Sequence, residues 1–149
     1  MNTIPTTIAA VPDIAGPIPQ STEEGKLHSI SEMAEMFDVT LRTLRFYEEK
    51  GLLNPVRRGS RRFYREQEIG RMRVILQAKR IGLTLVEIRQ VLKLVEGKSA
   101  RSEQLKNLRA ICASQLDLLE EQTITVRQQL AETKQIVADL DALVSAEAL

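Results

Sequence analysis

The sequence predicts a mainly α-helical protein with one small β-hairpin and a long C-terminal helix, and three observations predict it. Apolar residues such as Ile30, Met33 and Phe37 recur at helical spacing, which indicates a helix with one buried face. The segment LLNPVRRGSRRFY at residues 52–64 places a proline and a Gly-Ser turn between short apolar flanks, as hairpins do. Beyond Gly97 the chain has neither glycine nor proline, so nothing in the sequence interrupts a helix there.

Composition excludes several classes of function. The chain has 149 residues, 43% apolar and 28% charged, as expected for one small soluble domain with an appendage. One cysteine and one histidine supply neither a disulfide framework nor a zinc site within one chain. No nucleophile–base pair or phosphate-binding loop can be assembled, so we expect no enzyme, metal or cofactor. No basic residue precedes Lys26 and no apolar stretch spans a bilayer, which favours a cytoplasmic protein without a role at a membrane.

Charge is segregated along the chain. Residues 1–25 carry three acids and no base, a net charge of −3. Residues 26–101 carry 17 basic and 9 acidic side chains, a net +8, whereas residues 102–149 carry 4 and 8, a net −4. A basic segment attached to an acidic one is typical of a nucleic-acid-binding module joined to a part with another role.

The N-terminal segment reads as an arm outside the fold. Four of the five prolines (Pro5, Pro12, Pro17 and Pro19) lie in the first 25 residues, where no apolar period is present. Such a segment can neither form a helix nor bury a core. We therefore predict a disordered arm over residues 1–26.

Residues 27–97 predict a compact head. A first helix spans roughly 31–37, with Ser29 or Ser31 as its cap, and a tight turn over residues 38–40 follows it. Thr40 caps a second helix that turns Leu41 and Leu44 inward and ends at Gly51. Two short helices joined by such a turn form a helix-turn-helix, and the hairpin beside it is a wing. Two more helices, roughly 66–81 and 84–95, close the core.

Residues 98–149 predict a coiled coil. Apolar or small residues recur at alternating steps of three and four over about five heptads. This stripe has no partner within the chain, so we expect a second copy to cover it and form a homodimer. The predicted contact residues are Leu105, Leu108, Cys112, Leu119, Val126, Leu130, Val137 and Leu140.

The position of the arginines predicts double-stranded DNA as the ligand. In a helix-turn-helix the second helix enters the major groove, and Arg is well shaped to grip guanine. Arg42 and Thr43 are the expected base readers, and Ser31 at the start of the first helix is a further predicted contact. Phosphate contacts need charge or a hydroxyl but no base pattern. We assign them to Arg45, Tyr47, Arg57, Arg58, Arg61 and Arg62.

Three motifs in order carry a family resemblance over about residues 28–95. The stretches ISEMAEMFDVTLRTLRFYEEKGLL, RRGSRRFY and ILQAKRIGLTLVEI resemble the DNA-binding head of the MerR family of bacterial regulators. The resemblance implies a winged helix-turn-helix, an antiparallel coiled-coil dimer and activation by bending and untwisting a promoter. The family pattern falls on Thr40, Arg42, Thr43, Arg45, Phe46 and Tyr47 of the recognition helix, on Arg62 and Tyr64 of the wing, and on Arg80 and Thr84 near the flanking phosphates.

Two functions remain open at this point. The first is a sequence-specific transcription regulator that grips a palindromic promoter as a homodimer, contacts RNA polymerase and acts in the cytoplasm at the nucleoid. The second is an architectural, chromosome-organising protein whose coil recruits partners. The resemblance implies no metal or redox sensor, because the paired or clustered cysteines of those members are absent. Cys112 is either a small buried seam residue or a sensor thiol, and any small-molecule effector is unknown.

Overall fold

A computed structural model describes residues 10–21 and 25–148 of the chain. After a short 3-10 turn at Asp13–Ala15, the elements are β1 (Leu27–Ser29), α1 (Ile30–Phe37), α2 (Leu41–Glu49), β2 (Val56–Arg58), β3 (Arg61–Arg65), α3 (Glu66–Arg80), α4 (Leu85–Glu96) and α5 (Arg101–Glu147). They form two compact units, residues 1–108 and residues 109–149. The predicted fold class, a helical protein with a winged helix-turn-helix head and a long last helix, is confirmed.

The helix-turn-helix is built by two side-chain caps. The Ser29 hydroxyl accepts a hydrogen bond from the Glu32 N–H at 3.1 Å and begins α1. The Thr40 hydroxyl accepts one from the Thr43 N–H at 3.1 Å and begins α2. Each bond satisfies a backbone donor that the helix itself leaves free. Between the helices Asp38 adopts a left-handed conformation with φ +51°, which Asp tolerates better than most residues.

The wing is a three-stranded antiparallel sheet with the strand order β1-β3-β2. The predicted hairpin is present, with Arg58 opposite Arg61 next to its turn. Strand β1 is an addition, since His28 lies opposite Tyr64 on the far side of β3. Three residues are too few to show an alternating pattern, so only pairing with a distant segment reveals this strand.

The core of the head lies between the helix-turn-helix, the sheet, α3 and α4. Its largest fully buried side chains are Tyr47, Tyr64, Met33, Leu44, Leu52, Leu53, Met72, Ile75, Ile88, Val74 and Val91. The inward orientation predicted for Leu41 is wrong, because its side chain is 40% exposed. Leu44 and Tyr47, three residues apart, define the buried face of α2, and Leu41 lies at the end of the helix beyond that packing.

Polar contacts join α3 to α4. The Arg71 guanidinium bonds to the Glu96 carboxylate at 2.5 Å and donates to the Leu52 carbonyl at 3.0 Å. At the start of α4, Thr84 and Glu87 form a reciprocal capping box. The partly buried, charge-assisted bond between Arg71 and Glu96 joins α3 to α4, and the capping box stabilises the start of α4 itself.

Part of the N-terminal segment belongs to the head. The prediction of a disordered arm is wrong for residues 10–21, since Ile14 and Ala15 are buried and the Ile14 N–H donates to the Gln77 side chain of α3 at 2.7 Å. An extended segment needs no apolar period to pack, because isolated apolar residues fit a groove on a helix pair that already exists. Residues 1–9 and 22–24 of the predicted arm lie outside the described residues.

The 47 residues of α5 form one helix, about 70 Å long at 1.5 Å per residue. Along it, Leu119, Val126, Leu130, Val137 and Leu140 are all exposed. Leu108, assigned to the dimer seam from the sequence, is instead buried within the head unit, 5% exposed, because its turn of α5 packs there. In the described part of the chain, no helix is both long and apolar enough to cross a bilayer.

Candidate nucleic-acid interface

The outer face of α2 combines basic and apolar side chains. With Leu44 and Tyr47 buried, the helix exposes Arg42, Arg45 and Phe46 to solvent, together with Leu41 at its start. Thr43 is half-buried, and its hydroxyl lies 3.0 Å from that of Thr40. Leu41 and Arg42 are therefore the exposed side chains at the start of α2, where a recognition helix meets bases.

A cavity of about 370 Å³ joins α1, α2 and the wing. Its polar lining comes from Ser29, Ser31, Arg45, Ser60, Arg61 and Arg62. Four of these, Ser31, Arg45, Arg61 and Arg62, were predicted from the sequence as DNA contacts. Guanidinium and hydroxyl donors that converge on one concave surface match the acceptor oxygens of a phosphate.

A second cavity, of about 440 Å³, lies between α2 and the base of the wing. Arg45 and Arg62 line it as well as the first cavity, and Arg57 joins them here. Glu48 and Glu49 add two negative charges to its lining, and the Glu48 carboxylate lies 3.4 Å from the Arg62 guanidinium. The Glu48 side chain is only 9% exposed, so it has little freedom to move and holds the Arg62 guanidinium in place from the interior side.

Tyr47 and Tyr64, predicted to contact DNA, are core residues in the structure. Their exposures are 1% and 0%. The Tyr64 hydroxyl donates a hydrogen bond to the Glu48 carboxylate. Burial, reinforced by this bond and by the charge of Glu48, raises the pKa of Tyr64 far above its ordinary value. The Tyr47 hydroxyl has no hydrogen-bond partner in the described residues, but it is buried. Burial therefore keeps both tyrosine hydroxyls from a phosphate at the surface.

Phe46, in contrast, is 41% exposed on the outer face of α2. The Lys50 ammonium lies 5.6 Å from its ring centroid, within the range of a cation–π contact. A phenylalanine has no hydroxyl, so its contact with DNA would be apolar, for example with a thymine methyl group.

Arg80 and Thr84 stand apart from the two cavities. Arg80 is exposed in the last turn of α3, and Thr84 begins α4. The Thr84 hydroxyl already caps the Glu87 N–H at 3.2 Å and donates to the Glu87 carboxylate at 2.9 Å. A phosphate contact at this point would therefore use Arg80 and the backbone N–H groups at the start of α4 rather than a free hydroxyl.

Sequence reasoning missed several residues on this surface. Ser29 and Ser60 line the first cavity, and Leu41 is exposed on α2. The Gly-Ser turn between arginines was a signal for Ser60, because the tip of a wing meets the DNA backbone. No signal identified Leu41, because an apolar residue in a helix is expected to be buried unless the positions of the neighbouring elements are known. Within residues 10–21 and 25–148, no cluster of three His, Cys, Asp or Glu side chains could hold a metal ion.

Comparison with known proteins identifies the family of this chain. The family model described as "MerR HTH family regulatory protein" matches residues 28–94, and the one described as "MerR, DNA binding" matches residues 69–143. The chain belongs to the MerR family. It is a DNA-binding transcription regulator, and the family models leave residues 10–21 uncovered.

Individual MerR-family proteins are similar over most of the chain. The mercuric resistance operon regulatory protein of Pseudomonas fluorescens is 32% identical over 120 residues, 79% of this chain and 75% of that protein. The Escherichia coli regulator CueR is 28% identical over 104 residues, 68% of this chain and 77% of its own length. A MerR-family transcriptional regulator from Bacillus cereus superposes with a TM-score of 0.61 at 25% identity, over 74% of this chain and 79% of its own. These relatives are regulators rather than enzymes.

Proposed function

We propose that the protein acts as a homodimer on a two-fold symmetric promoter site and alters the geometry of that promoter. The observation that carries the proposal is the convergence of α1, α2 and the wing on one cavity lined by Ser31, Arg45, Arg61 and Arg62. A single basic concave surface beside an exposed recognition helix can grip phosphates while the helix reads bases.

Base reading is assigned to the start of α2. Arg42 is exposed there and can form two hydrogen bonds with guanine. Leu41 supplies an apolar neighbour for a thymine methyl group, and Phe46 a second one further along the helix. Thr43 completes the set, with a hydroxyl that Thr40 holds in place.

Phosphate binding is assigned to the wing and its surroundings. Arg57, Arg58 and Arg61 are exposed, and Arg45 and Arg62 line both cavities. These contacts set affinity and register but carry no base preference. Arg80 and the start of α4 would hold a flanking phosphate. Tyr47 and Tyr64 are left out of the interface because both are buried.

The exposed apolar residues of α5 support a homodimer. A helix with this stripe along its length is covered when a second copy packs against it as a coiled coil. The dimer presents two heads to one DNA site, which makes the site palindromic. Bending or untwisting the DNA between the half-sites then changes how RNA polymerase meets the promoter. Such a protein works at the nucleoid in the cytoplasm.

The test is selection of genomic fragments by the purified protein and by two variants, Arg42→Ala and Arg58→Ala. We expect a few strong palindromic sites in promoters for the parent. Arg42→Ala should cost about 1–3 kcal/mol of binding free energy on those sites and relax base preference at one position per half-site. Arg58→Ala should weaken all sequences alike and reduce the slope of log K against log salt by about 0.9.

Two outcomes would contradict the proposal. Many scattered weak sites for the parent would favour the architectural function instead. Equal losses on specific and random DNA for both variants would refute the division between base reading and phosphate binding. Arg58 is the matched control because it is an exposed arginine of the wing, whereas Arg42 is an exposed arginine of α2.

A further inference from the structure

Residues 10–21 run along α3 in the opposite direction to the helix. The Ile14 N–H bonds to the Gln77 side chain near the C-terminal end of α3. Further along, Ile18 and Pro19 lie over Gly70, and the Ser21 hydroxyl accepts a hydrogen bond from the Gln67 N–H at 2.8 Å in the first turn. The segment therefore follows about 15 Å of helix, at 1.5 Å per residue.

Gly70 has no side chain, and this leaves room for the segment to pack directly on α3. A Cβ at position 70 would lie 2.8 Å from the Pro19 Cδ and 3.3 Å from the Ile18 Cγ2. The proline ring is tied to the backbone and cannot rotate away, so any larger residue would push the segment off the helix. Glycine inside a helix costs about 1 kcal/mol relative to alanine. Close approach of residues 18 and 19 is the physical reason for a glycine at this position.

The same segment also contacts α4. Gly16 has φ +63°, and a Cβ there would lie 3.5 Å from the Cβ of Val95. Ile14 and Ala15, next to it, are both buried. The segment thus packs on α3 and also lies beside Val95 of α4.

Ser21 acts where the wing ends. Residue 65 is the last of β3, and α3 begins at residue 66 with no side-chain cap from Arg65. The Ser21 hydroxyl supplies a cap for the Gln67 N–H from a distant part of the sequence. Shortly after Ser21 the chain reaches β1, which pairs with β3. The segment is therefore linked to the wing at two places, through the Ser21 cap just after β3 and through β1 on one side of β3.

We infer that residues 10–21 are a strap that clamps α3 to α4 and holds the base of the wing in the position that binds DNA. The first half of this statement stands on the packing of the head alone. The second half rests on the proposed role of the wing in phosphate binding. The strap lies outside residues 28–143, the region that the family models match.

The test uses four full-length proteins: the parent, Gly70→Ala, Ile14→Asp and the double variant. Ile14→Asp places a charge in a buried site and undocks the strap. In the parent, Gly70→Ala should lower the melting temperature by about 2–4 °C, because the new Cβ collides with Pro19. In the Ile14→Asp background the same change should raise it by about as much, since only helix propensity then remains. Tyrosine fluorescence follows the head selectively, because both tyrosines are buried there.

Val11→Asp is the matched control, since it adds the same charge to the same segment at a side chain that is 67% exposed. We expect it to leave the melting temperature and the exchange of the Gln67 amide hydrogen unchanged, whereas Ile14→Asp speeds that exchange about tenfold or more. An increase in melting temperature for Gly70→Ala in the parent would contradict the packing of the strap on α3. Equal melting temperatures and equal Gln67 exchange rates for Val11→Asp and Ile14→Asp would contradict it as well.

Binding to a short mixed-sequence DNA duplex tests the link to the wing. Ile14→Asp should weaken binding about three- to tenfold relative to Val11→Asp, with faster amide exchange in β3. Unchanged binding by a protein whose strap is undocked would overturn this second half. If Arg58→Ala also fails to weaken binding to this duplex, the wing's proposed phosphate contact is what fails, and the melting result for the strap stands independently.

Discussion

Leu41 is the single side chain whose role the structure changes most. It occupies the first residue of the recognition helix, beside Arg42, and is 40% exposed although it is apolar. Exposing an apolar side chain to water is unfavourable in the free protein, so contact with an apolar group is favourable in a complex. In the major groove that group is the 5-methyl of thymine.

We predict that the parent prefers thymine over uracil, which lacks the 5-methyl group, at one position of each half-site, and that Leu41→Ala removes this preference. In the parent, replacing that thymidine by deoxyuridine should weaken binding by about 0.8 kcal/mol, the free energy of burying one methylene-sized group. The same replacement should have no effect on the variant. Competition binding with the selected site checks this, and equal sensitivity in both proteins would refute the contact.

Cys112 is half-buried, and burial raises the pKa of its thiol. A raised pKa leaves less thiolate at neutral pH, and the thiolate is the reactive form. Of the two roles that the sequence left open, this environment favours a small packing residue over a sensor thiol.

At the scale of elements, Glu48 links the recognition helix to the wing. It accepts the hydrogen bond of Tyr64 from β3 and lies 3.4 Å from Arg62 of the same strand. One buried carboxylate of α2 thus holds both a core tyrosine and a surface arginine of the wing. Hydrogen bonds to buried charged groups contribute more than neutral ones, so this link helps to set the angle between two DNA-binding elements.

We predict that Tyr64→Phe lowers the free energy of unfolding by about 1–3 kcal/mol near neutral pH, because Glu48 loses a donor while buried. The matched control is Tyr47→Phe, which removes a buried hydroxyl without a hydrogen-bond partner in the described residues and should be neutral or stabilising. Denaturant unfolding of the three proteins measures the difference. A smaller loss for Tyr64→Phe than for Tyr47→Phe would contradict the link.

The comparison of the parent with Tyr64→Phe also predicts how the free energy of unfolding depends on pH. The pKa of Tyr64 is raised in the folded protein above its ordinary value of 10.0. The stability from the protonated hydroxyl is therefore complete below about pH 10 and is lost as the pH rises further, where the unfolded chain releases the proton first. The stability advantage of the parent over Tyr64→Phe should shrink as the pH rises above about 10, and an advantage that stays constant there would argue against it.

For the whole molecule, the proposed homodimer depends on the exposed apolar residues of α5. Leu119, Val126 and Leu130 are exposed along one stripe in the single chain. We predict that lysine at these three positions yields a monomer with little affinity for palindromic DNA, because the charges cannot be buried in a coiled coil. The control places lysine at Gln128, Ala131 and Gln135, which lie on the opposite side of the helix.

Sedimentation equilibrium and binding to the selected site give the readouts. The control should remain dimeric and bind like the parent. A triple seam variant that still sediments as a dimer would refute the assigned stripe. Leu108 is left out of the test, since it is buried within the head and its replacement would disturb folding instead.

The sequence by itself determined every element that rests on local signals. Ser29 and Thr40 as caps, the hairpin around its Gly-Ser turn, Thr84 before α4 and the uninterrupted α5 all follow from short-range rules on capping, turns and apolar periods. Ser31, Arg45, Arg61 and Arg62 were predicted from the sequence as DNA contacts, and the structure brings them together on one cavity.

Only the tertiary structure decided which side chains are covered by distant segments. Leu41 is exposed, Tyr64 is buried, β1 pairs with β3, and Ile14 packs on α3. In each case the deciding partner is far away in the sequence, and a local pattern cannot specify it. Burial depends on the surfaces that meet in space, whereas caps and turns depend on neighbouring residues.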